Sequence, residues 1–118
     1  MPLPDPATAR RWIDERRAAV RERLDEVERR LGGVREARGD WMDEEHDPEG
    51  FSLTAEWSQA EGTRAQHLAE LRDLDAAEGR LDEGGYGRCE RCGEPIPHAQ
   101  LELRPARTAC VACTNRHR

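Results

Sequence analysis

The chain contains no lysine. All 19 of its Lys-plus-Arg positions are arginine, set against 25 Asp and Glu in 118 residues. Aromatic residues are nearly as scarce, with one Phe, one Tyr and three Trp. So few rings cannot fill a conventional globular core. Charged residues make up 37% of the chain, well above the roughly one quarter usual in folded domains. Such a composition either stays partly disordered or forms long exposed helices closed along a narrow apolar stripe. Long hydrophobic runs are also missing, and none approaches the ~20 residues of a membrane span. The opening Met1-Pro2-Leu3-Pro4-Asp5 lacks the basic and apolar regions of a signal peptide. A cytoplasmic location is therefore expected, where thiols stay reduced.

The charge of −6 is unevenly placed. Residues 1–83 hold 13 Arg and 22 Asp/Glu, whereas residues 84–118 hold 6 Arg and 3 Glu. The span 39–62 carries eight acidic residues and no basic one. Phosphate binding needs clustered cations, so the long N-terminal part is a poor nucleic-acid ligand. An acidic stretch of this kind suits a basic protein surface or a metal ion. Any such run is more often simply a solvated face.

What is present is periodic. Asp5-Pro6 offers a capping carboxylate and a proline at the first helical position. Apolar residues then recur at Ile13, Val20, Val27, Val34 and Trp41, spaced by seven, with Leu24 and Leu31 between them. This is an a/d seam. Arg17 and Arg38 interrupt it, and Gly32-Gly33 weakens the helix at its middle. The helical pattern fails between Gly39 and Gly50. Asp47-Pro48 repeats the cap, and a second seam runs Leu53, Trp57, Ala60, Arg64, His67, Leu71, Leu74 and Leu81, with Leu68 beside it. Two heptad helices of about thirty residues joined by a short loop pack antiparallel. Trp12, Trp41, Trp57 and His67 read as packing residues.

The four cysteines carry the chemistry. Cys89 and Cys92 form one C-x2-C pair, Cys110 and Cys113 another, and 17 residues separate the pairs. Each pair can hold a metal from one tight turn, and four thiolates at this spacing define a closed structural zinc site. Disulfides would need an oxidising compartment, and a thioredoxin-like role would need a βαβ setting that is absent. His98 and His117 are superfluous as ligands beside four cysteines, and His46 reads as a solvated histidine among carboxylates. A module of 35 residues with few apolar side chains needs metal to fold. The expected architecture is mostly α: an antiparallel coiled-coil helical hairpin over residues 5–83, with an acidic tip near 39–52, then a small four-cysteine zinc module over 84–118. The terminal residues 114–118 are expected to fray.

The C-terminal third reads Tyr86-Gly87-Arg88-Cys89-Glu90-Arg91-Cys92-Gly93, then Leu101-Glu102-Leu103-Arg104-Pro105, then Cys110-Val111-Ala112-Cys113. This stretch resembles the zinc module of the DksA/TraR family of bacterial RNA-polymerase-binding regulators. The run Asp43-Glu44-Glu45-His46-Asp47-Pro48-Glu49-Gly50 resembles the tip segment of actinobacterial members. The resemblance implies one structural zinc ion and a hairpin inserted into the secondary channel of RNA polymerase, and Arg17, Arg38 and Arg64 at seam positions argue against a long dimeric coil, so a monomer is expected. Tip residues Asp43, Glu44, Glu45, Asp47 and Glu49 would face the catalytic site, and no DNA sequence would be read. The family's tip pattern Asp-x-x-Asp-x-Ala falls on His46, Glu49 and Phe51, so the first carboxylate is lost unless Asp47 replaces it. Arg104 matches a residue with which some members bind ppGpp at the zinc module, a docking or alarmone-like role. Asp73 and Thr114 stand at the other positions of that site, and a weak or absent ppGpp response is expected.

Three rival readings remain. One is a zinc-ribbon adaptor that binds another protein with its hairpin. A second is DNA binding through the basic zinc module. An enzyme is the least favoured, because a four-thiolate zinc has no open position and no nucleophile–base pair is visible.

Overall fold

The computed structural model describes the backbone of residues 2–41 and 48–116, and the side chains of 2–33 and 54–116. It is mostly α-helical. Helix α1 spans Pro6–Trp41 and helix α2 spans Pro48–Glu83, followed by the short α3, His98–Leu103, and α4, Val111–Arg116. No strand occurs among the described residues; the only sheet-like pairing is an isolated bridge between Arg88 and Pro95. The first two helices have 36 residues each, longer than the seams suggest. Gly32-Gly33 does not interrupt α1, because one glycine lowers helix propensity by only ~1 kcal/mol.

Local chemistry sets the helix starts. Asp5 caps α1: its carboxylate accepts the Thr8 N–H at 3.4 Å, and its carbonyl accepts the Ala9 N–H at 2.9 Å. Pro6 and Pro48 occupy first helical positions, where no N–H is needed. The tip residues Asp43, Glu44, Glu45, His46 and Asp47 lie outside the described residues. Glu49 belongs to the first turn of α2, but its side chain also lies outside them, as do those of Val34, Arg38, Trp41 and Leu53.

The chain forms two compact units, and each of the two long helices contributes to both. One unit comprises Met1–Ala19 and Glu70–Arg118, here called the base; the other, here called the second unit, comprises Val20–Ala69.

In the base, α1 and α2 run antiparallel, with Arg10 paired to Asp82 at 2.7 Å and Arg17 to Asp75 at 3.0 Å. Arg16 forks onto both carboxylate oxygens of Glu70. Arg17 sits where the heptad pattern expects an apolar residue, and its side chain is only 14% exposed. It is tolerated because Asp14, Asp75 and Glu78 all accept from its guanidinium. Burial opposes its charge, but the Glu78 and Asp75 carboxylates outweigh that, so its pKa is raised. The apolar side of the base buries Ala9, Trp12, Ile13, Leu74 and Ala77.

In the second unit, Val27, Leu31 and Ala60 form a small buried cluster with Trp57 packed against it. Val20 is also fully buried, and Glu28 pairs with Arg64 at 3.4 Å. Among the described residues no helix is long and apolar enough to cross a membrane.

Candidate metal centre

The site is built from two turns. The first follows α2, where Gly84 and Gly87 take φ of 87° and 92°, the left-handed region open to glycine. The chain then folds back at Cys89-Glu90-Arg91-Cys92-Gly93. The Gly93 N–H donates to the Cys89 carbonyl at 2.9 Å, and the Cys89 N–H donates to the Glu94 carbonyl at 2.9 Å. Gly93 has φ 76°, which lets the turn reverse within one residue. Ile96, fully buried, donates its N–H to the Gly87 carbonyl at 2.7 Å and ties the turn to the segment that follows α2.

The second turn opens α4. The Cys110 carbonyl accepts the Thr114 N–H at 3.0 Å, and the Gln100 side chain accepts the Val111 N–H at 3.0 Å. Residues 114–116 are therefore helical, where the sequence suggested a frayed tail; the turn at Cys110 supplies the nucleus a short tail could not form alone. The Glu90 N–H donates to the Thr108 carbonyl at 2.8 Å and joins the two turns.

This framework brings the Sγ atoms of Cys89, Cys92, Cys110 and Cys113 within 4.8 Å of one another. Four thiolates at ~2.3 Å from a tetrahedral zinc stand ~3.8 Å apart, so the cluster needs only a small contraction around an ion. The donor set is all sulfur, the closed arrangement of a structural site. At Cys89 the surroundings favour thiolate: the N–H groups of Cys92 and then Cys110, the latter at 3.4 Å, hold it down to about 6. Cys113 is pushed up to about 12, chiefly by its hydrogen bond with Cys110 and by burial. No other group of three or more His, Cys, Asp or Glu side chains gathers in this way among the described residues.

Around the turns lies a compact shell. Tyr86 is buried and donates its hydroxyl to the Pro105 carbonyl at 2.8 Å, and burial pushes its pKa up to about 12. Leu101 and Pro105 are fully buried. The Arg80 guanidinium donates to the Ala106 carbonyl at 3.4 Å, joining α2 to this shell. His98 makes an edge-on contact with Trp12, ring centroids 6.0 Å apart, and its Nε2 lies 2.9 Å from the Pro2 carbonyl oxygen. His98 is thus a packing residue, while Arg104 ends α3 with an exposed side chain.

The N-terminal segment also seats here. A Cβ on Gly87 would stand 3.0 Å from Cδ of Pro4. Gly87→Ala should therefore combine a left-handed φ with a steric clash and cost about 1–3 kcal/mol. Thermal unfolding of the zinc-loaded variant measures it, and an unchanged midpoint would show that Pro4 does not pack there in solution.

A hairpin of two long helices whose base is completed by a closed four-cysteine zinc site defines a small class of helical zinc proteins. Residues 84–118 match the prokaryotic dksA/traR C4-type zinc finger. An uncharacterized protein of Aquifex aeolicus is 33% identical over 102 residues, which is 84% of this chain and 66% of that protein. The RNA polymerase-binding transcription factor DksA of Caulobacter vibrioides is 42% identical over 55 residues, 47% of this chain and 39% of that factor. The solved structure of transcription factor DksA2 from Pseudomonas aeruginosa matches with a TM-score of 0.55 at 26% identity, covering 97% of this chain and 89% of that one. Residues 84–118 thus carry the DksA/TraR type of C4 zinc finger, and the fold is similar to that of DksA2.

Proposed function

We propose that this protein is a non-enzymatic transcription regulator of the bacterial cytoplasm that binds RNA polymerase. The hairpin, residues 5–83, enters the secondary channel with the acidic tip near 39–52 towards the active site. The zinc module, residues 84–118, holds the hairpin's base and docks it, with Arg104 as one exposed contact. The protein acts as a monomer and reads no DNA sequence. The observation that carries this reading is the coincidence, in one chain, of the family's zinc finger with two antiparallel helices on the fold of DksA2. The acidity of residues 1–83 supports it, because such a surface repels nucleic acid.

The test is binding of the purified, zinc-loaded chain to RNA polymerase core enzyme, with competition by a known secondary-channel factor. Displacement is the expected result. Failure of a folded, zinc-loaded chain to bind would transfer the weight to the adaptor reading. The tip is tested separately by reversing Asp47 and Glu49 to arginine. Transcriptional effect should be lost while zinc content and helicity stay unchanged. A variant that regulates normally would remove the tip from the mechanism.

A further inference from the structure

The loop that leads into the second cysteine turn is tied down carbonyl by carbonyl. The Arg104 carbonyl accepts the Arg107 N–H at 3.0 Å, and those of Pro105, Ala106 and Thr108 accept from Tyr86, Arg80 and Glu90. The Ala109 carbonyl accepts from Nη1 of the Arg107 guanidinium at 3.1 Å. That carbonyl and the Cys110 N–H belong to one planar peptide unit. The N–H at its other side donates to Cys89 Sγ at 3.4 Å and is among the groups that favour the Cys89 thiolate. One peptide is therefore held by a cation at its oxygen and by a ligand sulfur at its N–H. A cationic donor on the oxygen strengthens the N–H as a donor, because hydrogen bonds in a chain polarise one another.

Ion pairing does not explain where Arg107 lies. Arg10, Arg16, Arg17 and Arg64 each meet a carboxylate on the opposite helix. Among the described residues no carboxylate pairs with Arg107. Its side chain is half-buried, and its Nε is shut off from solvent without a partner. A buried donor left unmet costs free energy, so the guanidinium is held there against that cost. A cation has a use at this place: four thiolates around one zinc ion leave two negative charges uncompensated. Arg88, at the first cysteine turn, differs. Its side chain is exposed and donates to the Gly93 carbonyl, past the first pair, at 3.0 Å.

We infer that Arg107 is a positioning residue of the zinc centre: by fixing and polarising the Ala109–Cys110 peptide it keeps the Cys110 N–H on Cys89 Sγ and tightens the hold on the ion. It acts through the peptide and not as a ligand. The inference rests on the four cysteines being a zinc site.

Zinc affinity of the full chain, read at constant pH by competition with a chelating indicator, tests it. The parent chain should bind one ion. Arg107→Met keeps the stem but loses the charge and the donor, and should weaken zinc binding by ~10–100-fold, as loss of an outer-shell partner does. Arg107→Lys, with a cation and a donor, should recover most of the affinity. Arg88→Met should bind zinc as the parent does. In the zinc-loaded proteins the Cys110 amide proton should shift upfield and exchange faster in Arg107→Met, and return in Arg107→Lys. Amides of Ile13 and Leu74 should keep their protection throughout, which separates this effect from general loosening. A parent chain that takes up no zinc would remove the metal site and the inference with it. If the parent binds zinc and Arg107→Met binds it equally well, the inference alone is wrong. An Arg107→Lys chain as weak as Arg107→Met would overturn it too.

Discussion

Removing zinc should unfold residues 84–118 and weaken the base with them. The module's own apolar core is small: Tyr86, Ile96, Leu101, Pro105 and Ala109 are its buried side chains apart from the ligands. Structural zinc contributes on the order of 10–16 kcal/mol of binding free energy in model peptides, as much as the whole stability of an ordinary domain. A strong chelator at neutral pH should therefore abolish the protection of the Ile96 and Leu101 amides. It should also release the segment around Pro4 and Trp12, which leans on Gly87 and His98. Zinc should be recovered at one ion per chain. The affinity should fall as the pH falls, because four thiolates must be free of protons to bind the ion. At Cys113 the hydrogen bond with Cys110 and burial favour the thiol, so a bound ion must offset both there. Circular dichroism and hydrogen exchange with and without chelator measure the effect. Amides of the module that stay protected after complete zinc removal would mean the shell folds on its own packing.

Leu74→Ala should cost about 2–5 kcal/mol, the range for deleting a buried leucine side chain and leaving a cavity. Leu74 lies on α2 in the base and is fully buried. Leu68, two turns earlier on the same helix and half-buried, provides the control. Its truncation removes less surface from water and leaves no closed cavity, so it should cost markedly less. Urea titrations of the zinc-loaded proteins at unchanged m-value separate the two. Equal midpoints would show that the base is not the packed part of the hairpin.

Much of this architecture was legible because its determinants are local or periodic. Ile13, Val20, Val27 and Leu31 are buried as the seven-residue spacing requires, and Asp5-Pro6 starts α1 as a cap and first-turn proline should. The four cysteines converge because two C-x2-C turns leave few other arrangements. The spacing could not reveal which further faces of the helices are covered. Ala9, Trp12 and Ala77 are buried although they lie off the a/d series. Trp12 meets His98, more than eighty positions away, and a two-helix pattern contains no trace of that neighbour. Arg17 read as an interruption of the seam because heptad logic weighs one helix at a time; two of its partners, Asp75 and Glu78, are on the other. The docking of Pro4 depends on the missing side chain of Gly87, a signal that a single glycine does not announce.

The placement of the tryptophans has a practical consequence. Trp12 is buried in the base beside His98, whereas Trp57 packs on the small cluster of Val27, Leu31 and Ala60. The protein thus carries an intrinsic optical label in each of its two units. With Trp41 replaced by phenylalanine, a Trp12-only chain and a Trp57-only chain would report separately, by native fluorescence, on metal loss in the base and on the packing around Val27, Leu31 and Ala60. Neither readout requires an attached dye.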